Sequence, residues 1–305
     1  MGVGADGAIV CTLALRAGIS SRGTGLLYGF LVHNCGSYGF AIVASVLITM
    51  RRHHASTFLL LAAVRALRPD ANMAPTYTKL AERCVALHTK LQRQVWIGIT
   101  GGPGAGKSTV AEAVAARCMA LGVRATALPM DGFHYSKEKL RQLDPPAASK
   151  LLPLRGAPQT FDAEAFCAAV AEARSAGKCD AWPTYSRELS DPVDGGAALS
   201  TDDAIVLCEG NYLLLGRLDG AEAERWSTLH FDEAWFVRPP GGVLEQRDRV
   251  VERHLETWTE AKTAAWGAAT AREGAAKRAD SNDVPNARLV DRCRVYADLE
   301  VGVCE

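Results

Sequence analysis

The stretch "VWIGITGGPGAGKSTVAEAV", Val95–Val114, decides the fold. It passes from an apolar run through a glycine-rich turn to a lysine, a hydroxyl pair and a helical pattern. Gly101-x-x-x-x-Gly106-Lys107-Ser108 matches the Walker A pattern in full, after a strand and before a helix, which is the context that gives the pattern meaning. Gly101, Gly102, Gly104 and Gly106 let successive backbone N–H groups point at phosphate oxygens without a Cβ in the way. Pro103, Ala105 and Thr109 complete the predicted nucleotide-binding run. The helix starting near Lys107 adds its positive dipole end. Lys107 is predicted to reach the β- and γ-phosphates, and the Ser108 hydroxyl to hold Mg²⁺.

Apolar runs recur downstream of this cradle. Arg124–Met130, Ala204–Gly210 and Glu233–Val237 read as strands, and "RVYADLEVGV" as a last one. Helices are predicted at Tyr77–Arg93, Lys107–Met119, Ser136–Leu143, Asp162–Ala173 and, as a charged segment, from Val243 to about Ala279. Unbroken apolar strands alternating with helices imply an α/β fold with a parallel sheet covered on both faces. The Ala-rich "TEAKTAAWGAATAREGAAKRA" reads as a mobile helical lid.

The 305 residues carry equal numbers of acidic and basic side chains, so composition offers no electrostatic reason to expect a nucleic-acid partner. Nine scattered cysteines, never spaced C-x-x-C, read as reduced and mostly buried thiols of an intracellular protein. The first 72 residues differ in kind: six arginines, two aspartates, no lysine and no glutamate. Within them Gly25–Met50 is uncharged and long enough for a membrane span, though His33, Asn34 and several glycines dilute all but Phe40–Met50. Three readings fit this extension: an organelle-targeting segment, a membrane anchor flanked by Arg51–His54, or a dispensable extension. Met73 looks like a natural start for the domain at 73–305.

Two acidic strand ends flank the cradle. "PMDGFHYSK" places Asp131 at the carboxyl end of one strand, where open α/β sheets bind ligands. There it can take the proton of a hydroxyl attacking the γ-phosphate; the competing reading is a helix cap. "AIVLCEGNYLLL" places Glu209 at another strand end, suited to Mg²⁺ directly or through water; the competing reading is an ordinary strand-end turn. No base-reading Asn-Lys-x-Asp and no transporter Leu-Ser-Gly-Gly occurs in the chain.

In order along the chain, "GGPGAGKST", "MDGFHY", "LRGAPQTFD", "PTYSRELSDPV", "CEGNYLLL" and "RVVERHL…NARLV" resemble the uridine kinase, phosphoribulokinase and bacterial pantothenate kinase superfamily. Within it, the set is most similar to the branch of fructose-transport-system-type and fungal ATP-dependent kinases. The resemblance runs from about Tyr77 to the C-terminus. It implies a P-loop NTPase three-layer sandwich with five parallel strands, a substrate-side insertion after the second and a helical lid before the last.

The resemblance implies Asp131 as base, with His134 and Tyr135 bordering the acceptor and Arg155 holding it. Arg155 also reads as a solvated loop arginine. Tyr185 and Arg187 fall where relatives carry an acceptor-binding Tyr and often a histidine, and the arginine points to negative charge on the acceptor. Arg247, Arg249 and Arg253 fall in the lid; Arg249 and Arg253, four apart, share a face and either neutralise the transferring phosphoryl group or pair with Glu245 and Glu252. Asn286 lies where such kinases approach adenine, and His254 has no role beyond packing or capping.

The expectation is ATP-dependent phosphoryl transfer to a hydroxyl of a small metabolite, with a nucleotide-binding regulator lacking turnover as the alternative. Nucleoside, sugar and pantothenate-like acceptors all remain open, as does the oligomeric state, and membrane contact is expected only if Gly25–Met50 is an anchor.

Overall fold

The computed structural model describes residues 31–33, 41–43, 72–143 and 151–304. Its contacts divide the chain into residues 1–61 and 62–305. In the first unit, β1 (Leu31–His33) pairs antiparallel with β2 (Ala41–Val43). The rest of the Arg-rich extension, including the remainder of Gly25–Met50, lies outside the described residues. Among the described residues no helix is long and apolar enough to cross a membrane.

The second unit is organised by five parallel strands: β3 (Val95–Thr100), β4 (Ala125–Pro129), β7 (Ile205–Gly210), β8 (Glu233–Arg238) and β9 (Leu299–Gly302), in the spatial order β4-β7-β3-β8-β9. β3 and β7 are buried along their whole length, which is why they read as continuous apolar runs. Alternation sorts their side chains between two cores. Val95, Ile97, Ile99, Ile205 and Leu207 face helices α1 (Ala74–Leu91) and α2 (Lys107–Ala120). Trp96, Val206 and Cys208 join the opposite core with α4 (Ala163–Ala176). Three layers result. Of the described cysteines, Cys84, Cys118, Cys167, Cys208 and Cys293 are buried, Cys179 is half-buried and Cys304 exposed.

Helix limits follow local chemistry. Asp162 caps α4 by accepting from the Ala165 N–H at 3.1 Å, as its position before the apolar face predicts. Between β4 and β7 the chain forms α3 (Lys137–Leu143), α4 and an antiparallel hairpin, β5 (Cys179–Ser186) with β6 (Asp191–Leu199). The sequence reading placed no strands there, since Pro183, Pro192 and Gly195-Gly196 suppress the usual signal.

After the short α5 (Ala221–Glu224), the segment predicted helical from Val243 to about Ala279 forms three helices, α6 (Gly242–Leu255), α7 (Glu260–Ala265) and α8 (Ala271–Arg278), and is followed by a π-turn at Ala279–Asp283 and α9 (Val284–Asp291). The breaks come from threonines that start new helices: the Thr259 and Thr270 side chains accept from the Lys262 and Glu273 N–H groups. Within the Ala-rich stretch Ala275 and Ala279 are buried against Val250 and Val251, while Ala261, Ala264, Ala265, Ala269 and Ala271 are exposed. The last strand is shorter than expected, because Arg292–Tyr296 closes into a 3₁₀ turn before β9.

One carboxylate ties the layers together at the amino ends of the strands. Asp232 accepts two hydrogen bonds from Arg93, at 2.6 and 3.1 Å, one from Arg174 at 2.7 Å and one from the Trp96 N–H at 2.8 Å. Burial opposes its charge, yet these donors hold its carboxyl below the usual aspartate range. Its stabilising contribution is therefore full above the ordinary aspartate pKa and is lost as pH falls through the lower folded value. Asp232→Asn should destabilise the protein by about 1–3 kcal/mol at neutral pH. The gap from wild type should narrow on acidification; urea melts at several pH values read both.

Candidate active site

Parallel register brings three strand ends to one edge. Thr100 lies opposite Gly210, while Ile99 and Pro129 flank Glu209 on either side. The chain beyond Thr100 turns through the glycine-rich loop, with Gly104 at φ 78° and Gly106 at φ 94°, backbone regions open to glycine. A Cβ on Gly104 would lie 2.6 Å from the Gln246 carbonyl oxygen, so the loop is threaded directly beneath α6. The Ala105 N–H closes the loop onto the Gly102 carbonyl at 3.1 Å, and α2 begins at Lys107 with Gly106 at its cap. Pro103 is half-exposed, and Thr109 is exposed on the first turn of α2.

Lys107 Nζ donates to the Gly102 carbonyl at 3.2 Å and to Asn211 Oδ1 at 2.7 Å. Burial draws its pKa down, Glu209 and Asp131 oppose this, and Arg253 adds to it. Ser108 Oγ donates to Glu209 Oε1 at 3.0 Å. Glu209 is 8% exposed, and burial followed by the charge of Asp131 pushes its carboxyl up to about 7, against the pull of Lys107 and Ser108. Asp131 thus shares one electrostatic neighbourhood with Lys107, Glu209 and Arg253. The approach needs Gly210, where a Cβ would meet Met130 Cβ at 2.5 Å.

His134 Nδ1 donates to the Asp131 carbonyl at 2.8 Å, which leaves Nε2 as the acceptor of a neutral ring. Its ring packs 3.9 Å from Phe161 and 5.0 Å from Tyr185, and burial lowers its pKa. Arg155 lies with its guanidinium 5.4 Å from the Tyr185 ring centre. Its donors go to Ser190 O at 2.7 Å, Tyr135 O at 3.0 Å and Asp191 Oδ1 at 2.5 Å, so it fastens the hairpin to the Asp131 segment. The Tyr135 phenol lies instead in the field of Asp162, Arg225 and Glu164 beside α4.

The two lid arginines part company. Arg253 lies in the field of Asp283, Arg187 and Asp131. Arg249 donates to Glu245 at 2.7 Å and to the Val303 carbonyl at 3.4 Å, while Glu252 pairs with Arg272. Arg247 pairs with Asp280. His254 gains a defined partner, with Nε2 3.0 Å from Asp283 Oδ2. Asn286 is buried on α9, where its amide donates to Asn282 Oδ1 at 3.1 Å. The same helix touches the P-loop, since a Cβ on Gly102 would meet Ala287 at 3.0 Å.

Two residues went unassigned in the sequence. Asn211 follows the Glu-Gly turn and anchors Lys107, a position visible in "CEGN" but uninformative without the lysine's location. Gln246 is buried over the P-loop; its Oε1, which has no hydrogen-bond partner among the described residues, would sit 2.3 Å from a Gly102 Cβ.

No protein-family model matches the chain. Over 237 residues it is 34% identical to a uridine kinase-like protein of Schizosaccharomyces pombe, spanning 77% of this chain and 93% of that one. An ATP-dependent kinase YFH7 of Zygosaccharomyces rouxii is 27% identical over 194 residues, 53% of this chain and 47% of the relative. Among solved structures, a fructose transport system kinase-like protein from Silicibacter sp. TM1040 is 25% identical with a TM-score of 0.57, over 82% of this chain and all of that one. YFH7 from Saccharomyces cerevisiae, described as a P-loop kinase with a circular permutation, shares the fold at 19% identity and a TM-score of 0.56, over 75% and 99%. Fold and cradle are those of a P-loop kinase. The chain belongs to the uridine kinase-like family, and is an ATP-dependent kinase acting on a small molecule.

Gly132 sets how closely the hairpin approaches Asp131. A Cβ there would lie 2.1 Å from the Pro183 carbonyl oxygen and 2.6 Å from the Thr184 nitrogen. Gly132→Ala should therefore lower stability by about 1–3 kcal/mol, read as a lower urea midpoint.

Proposed function

We propose that this kinase transfers the γ-phosphoryl group of ATP to a hydroxyl of its acceptor with Asp131 as general base. The observation that carries the reading is the pairing of Asp131 and Glu209 at adjacent parallel strand ends, facing Lys107 and Ser108. The acceptor oxygen attacks the γ-phosphorus and the bond to the β-phosphate oxygen breaks. ADP leaves, and the hydroxyl proton passes to the Asp131 carboxylate. Lys107 and Arg253 lower the energy of the charge on the phosphoryl oxygens during transfer. Arg249, held by Glu245 and Val303 O, supports the cradle side, and Asn286 flanks the adenine.

Ser108 and Glu209 suit Mg²⁺: a hydroxyl and a carboxylate, hard oxygen donors 3.0 Å apart, with a carboxyl whose burial calls for a cation. Among the described residues no cluster of three metal-ligating side chains occurs, in keeping with an ion held by one carboxylate, a hydroxyl and substrate phosphates. Mg²⁺ there would neutralise charge on the β- and γ-oxygens.

Acceptor contact falls to His134, Tyr185 and Arg187, with Tyr135 and Arg155 shaping the pocket wall. The acceptor is a nucleoside, a sugar or a pantothenate-like alcohol, in an intracellular setting without nucleic acid. Residues 73–305 form the kinase domain; a chain starting at Met73 should melt at the same urea concentration as the full chain. Asp131→Asn should retain ATP binding while acceptor-dependent ADP release falls about 10²–10⁴-fold. Near-full turnover in that variant would overturn the base assignment. Tight ATP binding with no acceptor-stimulated turnover in the wild type would favour the regulator instead.

A further inference from the structure

Three elements meet beside Tyr185. The hairpin end is held there by Arg155, which donates to Ser190 O at 2.7 Å. The π-turn at Ala279–Asp283 is held by Asn282 Nδ2, which donates to the Arg155 carbonyl at 2.8 Å. Helix α6 joins through His254 and Asp283, 3.0 Å apart. Each element brings one further arginine to the junction: Arg187 two residues beyond Tyr185, Arg278 directly before the π-turn, and Arg253 directly before His254.

The neighbouring charges are already committed. Arg155 is paired with Asp191, Arg247 with Asp280, and Asp283 with His254. Arg187, Arg253 and Arg278 are different: among the described residues, their side chains make no ion pair within 4.0 Å and no hydrogen bond. They nonetheless feel one another, since Arg187 and Arg278 both disfavour the charge on Arg253. Like charges that act on one another and make no ion pair of their own repel, and an anion between them would turn that repulsion into attraction.

Their positions relative to the cradle assign them different tasks. Arg253 acts on Lys107 and so belongs to the phosphate side. Arg278 acts on Tyr185 and Arg253, and Arg187, two residues beyond Tyr185, acts on Arg253; neither is among the charges acting on Lys107. Tyr185 in turn packs on His134, whose ring nitrogen is bonded to the Asp131 carbonyl. A ligand running from Asp131 past His134 and Tyr185 would meet the forked donors of Arg187 and Arg278 at its far end.

Building on the kinase reading above, we propose that the acceptor carries an anionic group, a carboxylate or a phosphate, gripped by Arg187 and Arg278 while its hydroxyl faces Asp131. Guanidinium forks bind both groups through paired charge-assisted hydrogen bonds, and an uncharged sugar or nucleoside would leave both without an anionic partner.

The test uses the full-length protein saturated with Mg·ADP, so that the P-loop is filled, and matched ligands at constant ionic strength. Calorimetry compares ribose with ribose 5-phosphate and glycerol with glycerate; the two charged ligands separate phosphate from carboxylate preference. At least one charged ligand should bind about tenfold or more tighter than its neutral partner. Arg187→Gln and Arg278→Gln should each weaken that ligand about 10- to 100-fold, Arg278→Gln should leave the neutral ligand unchanged, and Arg187→Lys should recover part of the loss. Equal binding of charged and neutral ligands, no binding of either charged ligand, or indifference to both substitutions overturns the proposal. Turnover with Mg·ATP separates it from the reading beneath it. Transfer to neutral acceptors that ignores both arginines removes the anion site and leaves the kinase, whereas arginine-dependent anion binding without transfer to any acceptor counts against the phosphoryl-transfer chemistry alone.

Discussion

The parallel register of β4, β7 and β3 is the constraint on which the rest depends. Pairing Pro129 and Ile99 with Glu209, and Thr100 with Gly210, ends three strands at one level. Everything chemical is strung from that edge. The P-loop leaves β3 after Thr100, Asp131 leaves β4 after Pro129, and Glu209 closes β7 one residue before its end. A slip of one residue would turn Glu209 into the opposite core, because successive side chains point to opposite faces. Burial of β3 and β7 on both faces makes such a slip expensive.

Within that edge, close approach is bought by missing side chains. Gly210 admits Met130, Gly132 admits the hairpin backbone, and Gly104 admits α6. The outcome is a cluster in which the exposed Asp131 carboxylate and the half-buried Lys107 lie in the field of the buried Glu209 carboxyl. Lys107 is held by Asn211 and the Gly102 carbonyl, so its head group is aimed before any phosphate arrives. Glu209, pushed up to about 7 chiefly by burial, is a carboxyl whose ionised form needs a cation close by. The uneven distribution of charge continues outward. Arg247, Arg249 and Arg155 have carboxylate partners, whereas among the described residues Arg187, Arg253 and Arg278 make no ion pair.

Much of this was legible from the chain. Strands buried on both faces announce themselves as apolar runs, and all five were placed within a few residues. Asp162 and the Walker A lysine could be assigned because their chemistry is local: a cap acts three residues away, and a P-loop folds on its own glycines. The β5–β6 hairpin was not legible, because its prolines and glycines are tolerated only through the contact with Gly132 and the Trp182 indole bond to Pro129 O. The breaks within the helical lid were not legible, since Thr259 and Thr270 begin new helices by capping inside a run that reads as helical throughout.

The sequence by itself determined the phosphate cradle, the parallel sheet and the two acidic strand ends, since each rests on residues adjacent in the chain. Only the tertiary structure decided which side chains share the site. It separated Arg253 from Arg249, turned Arg155 into a brace for the hairpin, placed Asn211 on Lys107, and gathered Arg187, Arg253 and Arg278 from three distant segments. The physical reason is range. Capping, turn formation and alternation act over a few residues, whereas the electrostatics of a site are summed over groups that only the folded chain brings together.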